Sequence, residues 1–143
     1  MWHSHARGWS CRLRLAIVDA ATSADDFLLT DVRKQKMTIY IGIQPNKLAE
    51  ARLIINLFFS QLINLNTKEL PQSNKELRYQ CLLLMDEFTS IGAVDIIAKS
   101  VSYIAGYNIR LFPIIQSLAQ LDSVYGKEVS RTMVTNHALQ ILY

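Results

Sequence analysis

The stretch Leu82-Leu83-Leu84-Met85-Asp86-Glu87-Phe88 decides how this chain is read. Four apolar residues in a row belong inside a sheet. Two carboxylates then emerge at the carboxyl end of that strand, which is where open α/β sheets bind ligands. An unpaired carboxylate is costly to bury, so acids at this point imply a task. In nucleotide hydrolysis one acid holds Mg²⁺, directly or through water, and a second orients and deprotonates the attacking water. Asp86 suits the first role and Glu87 the second. The same pattern also arises where strand-end acids cap the next helix, so the motif alone leaves both readings open.

Downstream, Asn108–Gln116 reads as another strand, and its apolar part Ile109–Ile115 also ends in a polar group, Gln116. In a parallel sheet Gln116 would stand beside the acid pair, within reach of a γ-phosphate or an attacking water; a loop or capping role is the alternative. Pro113 inside this strand predicts a bulge or an unpaired amide. Between the two strands, Gly92 marks a turn and Asp95–Ile104 a helix. Leu118–Val124 reads as a short helix or turn, Gly126–Asn136 as a helix, and Ala138–Tyr143 as a further strand.

Upstream, Met37–Ile43 is β-branched and aromatic and predicts a buried strand. Gln44-Pro45-Asn46 breaks it and opens a helix. The apolar density of Lys47–Asn64 predicts a helix buried on most sides. Leu65–Gln80, with Pro71, Asn66 and Asn74, reads as an exposed connection. Strands alternating with helices predict an α/β fold, a mostly parallel sheet covered by helices. Continuous apolar strands predict burial of both sheet faces.

Half of the 143 residues are hydrophobic and 19% are charged, which suits a globular core and argues against disorder. Fifteen basic against twelve acidic residues give +3, a mild excess that permits nucleic-acid contact without establishing it. The basic run Arg33, Lys34 and Lys36 reads as a solvated face, with a nucleic-acid or partner role as the alternative. Cys11 and Cys81 form no spacing motif, so a reducing compartment and no disulfide are expected. No apolar stretch reaches the ~18–20 residues of a membrane span, the longest being Leu53–Phe59 and Cys81–Met85, so no membrane segment is expected in this chain. Residues 1–16 carry His3, His5 and Cys11 without the spacing of a four-ligand zinc site and read as a disordered or non-native leader. Ala16–Asp26 reads as a loop.

A phosphate cradle needs a glycine-rich loop followed by Lys-Ser/Thr. None of Gly8, Gly42, Gly92, Gly106 and Gly126 sits in one; Gly126-Lys127 is followed by Glu128. If the acid pair serves ATP, the phosphate-binding half lies elsewhere, and no hydrolysis by this chain alone is expected. No Gly-x-Ser-x-Gly elbow accompanies the histidines; Asn136-His137 reads as a helix-to-strand turn.

From about Ile17 to Tyr143 the chain resembles the cytoplasmic ATPase domain of type IV secretion coupling proteins, the TraG/TraD family. The resemblance is carried by Val18-Asp19-Ala20-Ala21-Thr22-Ser23, Ile39–Ile43, Leu48–Arg52, Asn56–Gln61 and Leu82–Gly92. It continues through Ile104–Arg110, Ile115-Gln116-Ser117, Gln120-Leu121, Val124-Tyr125-Gly126 and Thr135-Asn136-His137. It implies a partial RecA-like P-loop NTPase domain over residues 17–143, the Walker B half without the Walker A half. It also implies a hexameric motor on the cytoplasmic face of the bacterial inner membrane, the fragment itself being cytoplasmic. Such a motor couples ATP hydrolysis to passage of single-stranded DNA and relaxase into a secretion channel. By resemblance Asp86 would hold Mg²⁺ at the bound ATP, Glu87 would be the general base, and Gln116 the sensor. The turn Tyr103–Tyr107 lacks the arginine that some relatives carry there. Two other readings stay open: a non-enzymatic α/β module that binds DNA or a secretion partner, and a small enzyme with an acid-pair metal site.

Overall fold

The computed structural model describes residues 27–141. The expected leader, the Ala16–Asp26 loop and the His3, His5 and Cys11 group lie outside them. A 3₁₀ turn at Leu29–Asp31 leads through an extended segment to a second one at Pro45–Lys47, which opens helix α1, Leu48–Asn66. Strand β1, Cys81–Met85, is followed by helix α2, Asp95–Ser100, a 3₁₀ turn at Ile104–Tyr107 and strand β2, Ile109–Pro113. Helices α3, Leu118–Tyr125, and α4, Lys127–Thr135, complete the described chain.

The two strands are parallel, paired from Cys81↔Ile109 to Met85↔Pro113. A helical crossover between parallel strands is the unit expected of an α/β fold, and here it spans residues 86–108. Cys81 N–H donates to the Asn108 carbonyl and Ile114 N–H to the Met85 carbonyl. Backbone groups alternate in direction along a strand, so Asn108, Arg110, Phe112 and Ile114 face β1, and Ile109, Leu111 and Pro113 face the opposite edge. Pro113 therefore removes no bond from the ladder. Of the two expectations, a bulge or a backbone nitrogen left out of the ladder, the second is met: the Pro113 nitrogen points at the side that is unpaired among the described residues, and no bulge forms.

Only one face of the sheet is covered. Leu83, Met85 and Ile109 are buried with Phe88, Val94, Ile97 and Ile104, whereas Leu82 and Leu84 are 58% and 60% exposed. Continuous apolar strands predicted two covered faces; among the described residues one is open. Helix α1 departs from expectation in the same way. Ile55, Leu62, Ile63 and Asn66 are buried, a single stripe at i, i+7, i+8 and i+11, while Leu53 is 79% exposed. Apolar density marked the helix correctly but not the side it buries. Pro45–Asn66 is also long and apolar enough, by length and composition, to cross a membrane. No stretch of that length was expected, because Asn56 interrupts its apolar residues; in this fold the buried stripe packs it against the core.

Two expected strands are absent from the described residues. Residues 37–43 are extended but make no ladder. Met37, Ile39 and Ile43 pack against the core, and Tyr40 between them is 90% exposed. The alternation holds at Met37 and Ile39 and fails at Ile41, which is 50% exposed. Residues 138–141 are likewise exposed and unpaired. The helix expected over Asp95–Ile104 stops at Ser100, and the chain turns through Asn108 in the left-handed region at φ 57°, a conformation asparagine tolerates.

Lys34 and Lys36 are exposed, as a solvated face requires, but Arg33 is not. It is 2% exposed, and its two terminal nitrogens donate to the Tyr107 carbonyl at 2.5 Å and the Glu69 carbonyl at 3.0 Å. It ties the first 3₁₀ turn to the connection before β1 and to the turn before β2. Asn66 adds a second tie, donating to the Leu29 carbonyl at 2.7 Å. Burial pulls the Arg33 guanidinium down from its usual range; Cys81, Glu69 and Tyr107 oppose this. The free Cys81 thiol is half-buried, and burial pushes its pKa up.

Candidate functional site

Asp86 and Glu87 leave the end of β1 in a turn, both exposed to solvent. Glu87 is held in the left-handed region at φ 47°, where a non-glycine residue is uncommon. The turn is held on three sides. Asp86 Oδ1 accepts the Glu87 N–H at 3.0 Å, the Phe88 N–H reaches the Ile114 carbonyl beyond β2 at 2.9 Å, and the Ser90 N–H closes on the Glu87 carbonyl at 2.8 Å. Ser90 Oγ lies 3.4 Å from Glu87 Oε2. Local backbone strain of this kind clusters at functional positions.

Beneath the turn, Phe88 is fully buried and stacks on Tyr125 at 5.4 Å. The Tyr125 hydroxyl accepts the Val94 N–H at 3.0 Å, and burial pushes this phenol up to about 12. The C-terminal end of α3 is thereby fixed under the acid pair. Its N-terminal end carries Ser117, whose hydroxyl caps the helix by accepting the Gln120 N–H at 3.2 Å.

The strand expected over Asn108–Gln116 is shorter: β2 ends at Pro113, and Gln116 follows three residues later in a bend that leads into α3. The Gln116 side-chain oxygen accepts from Gln120 Nε2 at 3.3 Å, and Gln120 Oε1 accepts from Thr89 Oγ1 at 3.3 Å. A relay Gln116–Gln120–Thr89 therefore links the two strand ends. Neither Thr89 nor Gln120 carries a motif of its own in the sequence. Their signal was positional: one lies three residues past Asp86 and the other one helical turn past Gln116.

On the far side of the turn, Gly92 adopts φ 74°, and a Cβ there would stand 3.0 Å from Arg52 Cζ. Asn56 of α1 donates to the Ala93 carbonyl at 3.3 Å. Helix α1 thus braces the loop after the acids, and Arg52 is a cation beside that loop which pattern reading passed over. His137 is used structurally, its Nδ1 lying 2.6 Å from the Met133 carbonyl.

No cluster of three or more metal-binding side chains occurs among the described residues. Two adjacent carboxylates suit Mg²⁺ nonetheless, since that ion usually takes one or two carboxylates and fills its shell with water and phosphate oxygens. Asp86 keeps one oxygen unused by the turn. The donor set fits a phosphate-bound cation and does not make a protein cage.

Two parallel strands joined by a helical crossover, with an acid pair just past the carboxyl end of the first, make this an α/β protein. The sequence profile of Type IV secretory system Conjugative DNA transfer proteins matches residues 6–143, and the chain belongs to that family. It is 34% identical to Protein VirD4 of Rhizobium rhizogenes and 33% identical to that of Agrobacterium fabrum, each over 87% of this chain. Conjugal transfer protein TraG of Escherichia coli is 26% identical over 90% of it. The chain spans 18% of the length of the VirD4 relatives and 22% of TraG.

Proposed function

We propose that this chain is the Walker B part of a RecA-like P-loop ATPase domain. In the whole protein it would couple ATP hydrolysis to delivery of single-stranded DNA and relaxase into a type IV secretion channel. The observation that carries the reading is the acid pair: Asp86 and Glu87 at the end of β1, with Glu87 in a strained backbone conformation and Gln116 joined to the same turn through Gln120 and Thr89. Asp86 would hold Mg²⁺, which neutralises phosphate charge when bound with ATP. Glu87 would orient the attacking water and take its proton. Gln116 would contact the γ-phosphate or that water, and the relay through Gln120 would carry its position to the acid turn and α3. Hexameric assembly and an inner-membrane site with a cytoplasmic catalytic face belong to the same proposal.

The test is a segment exchange. Residues 17–143 replace the matching segment of the Rhizobium rhizogenes relative, and ATP turnover is measured with and without single-stranded DNA. Turnover that falls at least ~100-fold with Glu87→Gln supports the reading, since general-base catalysis contributes about 10²–10⁴-fold. A folded chimera whose turnover is indifferent to Glu87→Gln removes it. The purified chain alone is expected to show no turnover, because no Gly-Lys-Ser/Thr cradle occurs among its residues.

A further inference from the structure

Glu87 holds an uncommon backbone conformation, φ 47°. Such strain persists only where the surroundings over-determine it. The bonds inside the turn do not suffice. The Asp86 carboxylate accepts the Glu87 N–H and the Glu87 carbonyl accepts the Ser90 N–H, and these contacts travel with the turn. Anchorage has to come from residues 88–94, which follow the acid pair.

One side chain reaches both ends of that segment. Phe88 and Val94 are each fully buried. The Tyr125 ring lies on Phe88 at 5.4 Å with 13° between the planes, and its hydroxyl accepts the Val94 N–H at 3.0 Å. Stacking alone leaves one ring free to slide over the other, and the hydroxyl bond fixes where the tyrosine ring stands. Helix α1 supports the same end of the segment. Asn56 Nδ2 donates to the Ala93 carbonyl at 3.3 Å, and the Arg52 guanidinium lies against Gly92. The first turn of α3 carries Gln120, bonded to both Gln116 and Thr89. One short helix, Leu118–Tyr125, thus supports Gln116 at its start and the segment behind Glu87 at its end.

We propose that Tyr125 is a positioning residue for Glu87: by holding Phe88 and Val94 it keeps Glu87 in its strained conformation, with the carboxylate beside Asp86. The inference rests on the reading of Glu87 as the general base. Tyr125 touches no reacting atom and acts through Phe88. Loss of its hydroxyl lets Phe88 shift and Glu87 relax to an ordinary φ, which turns the carboxylate away. A tyrosine that only filled the core would lower stability when replaced and leave the Glu87 backbone as it is.

The first measurement is made on the full 143-residue chain without nucleotide. The intraresidue HN–Hα nuclear Overhauser effect of Glu87, strong at positive φ, is followed in the unsubstituted chain, Tyr125→Phe, Tyr125→Leu and Ile63→Val. Ile63 is fully buried in α1 and controls for lost stability alone. The signal is expected to weaken in Tyr125→Phe, where the ring stays and the hydroxyl goes. It should weaken further in Tyr125→Leu and persist in Ile63→Val. The second measurement uses the chimera described above. There Tyr125→Phe is expected to lower kcat at least ~5-fold, the population shift that release of such strain allows. KM for ATP should not change, because what is lost acts in the transition state and not in uniform binding. Ile63→Val should change neither constant. An unchanged Glu87 signal in Tyr125→Phe overturns the proposal, whatever the chimera does. So does an unchanged kcat in a Tyr125→Phe chimera that still responds to Glu87→Gln, and so does an equal fall of kcat in Ile63→Val. A chimera indifferent to Glu87→Gln overturns the general-base reading on which the proposal rests, and the Glu87 signal, which needs no nucleotide, tells the two failures apart.

Discussion

Replacing Arg33 tests the packing that joins the first 3₁₀ turn to the segments before β1 and β2. The guanidinium is 2% exposed and gives two hydrogen bonds to carbonyls, while its Nε has no partner. Removing the donors leaves the Tyr107 and Glu69 carbonyls without them, a penalty of about 1–3 kcal/mol each. Against this, an apolar replacement relieves the unpartnered Nε, roughly 1–3 kcal/mol, and the desolvation of a buried charge. Arg33→Met keeps most of the volume, so the opposing effects leave a net loss of about 1–2 kcal/mol. Arg33→Ala also opens a cavity, and its loss rises to roughly 4 kcal/mol. The assay is urea unfolding followed at 222 nm, with the midpoint and slope fitted separately for each variant. Arg33→Ala within about 0.5 kcal/mol of the unsubstituted chain, the ordinary range for surface changes, would refute the claim that this arginine is a buried clamp.

Three further outcomes follow from the site. Gly92→Ala is expected to cost about 1–2 kcal/mol, because φ 74° disfavours a Cβ. That loss should persist in an Arg52→Ala background, and recovery there would show that the contact with Arg52, not the backbone, sets the cost. Ser117→Ala removes the cap of α3 and should lower the urea-derived stability by about 1 kcal/mol; an unchanged midpoint would contradict the cap. Burial pushes the Tyr125 phenol up from its ordinary 10.0 to about 12. Folding therefore disfavours the phenolate, and its contribution is intact below pH 10 and lost as pH rises toward 12. A two-unit shift corresponds to ~2.7 kcal/mol, which solvent screening of a part-exposed ring reduces to about 1–2 kcal/mol. Stability measured from pH 8 to 11.5 should fall less steeply in Tyr125→Phe, and parallel curves would count against the buried phenol.

The parts legible in the sequence were those where one residue type has few uses. Asp86 and Glu87 after four apolar residues located the end of β1, and Gln116 located the end of the paired strand to within three residues. Pro45 and Asn46 marked the approach to α1, and Gly126 the break between α3 and α4. What stayed hidden depended on partners remote in the chain. Met37–Ile43 has the composition of a strand and the alternation of one, but pairing needs a neighbour that composition does not reveal. Leu53 and Leu57 raised the apolar density of α1 without being covered in the described chain. Arg33 looked like Lys34 and Lys36 until the Tyr107 carbonyl, 74 residues away, came to meet it. The Gln120–Thr89 relay was equally invisible, because each residue is ordinary and only their meeting carries meaning.

The imino nitrogen of Pro113 has an effect beyond its own strand. A chain laid against the edge of β2 that is unpaired among the described residues would find donors at Ile109 and Leu111 and none at Pro113. The Pro113 carbonyl still accepts, so the ladder there would lose one bond rather than end. Widening of the sheet on that side would therefore be held less firmly near the end that leads to Gln116 than at the end that starts from Ile109.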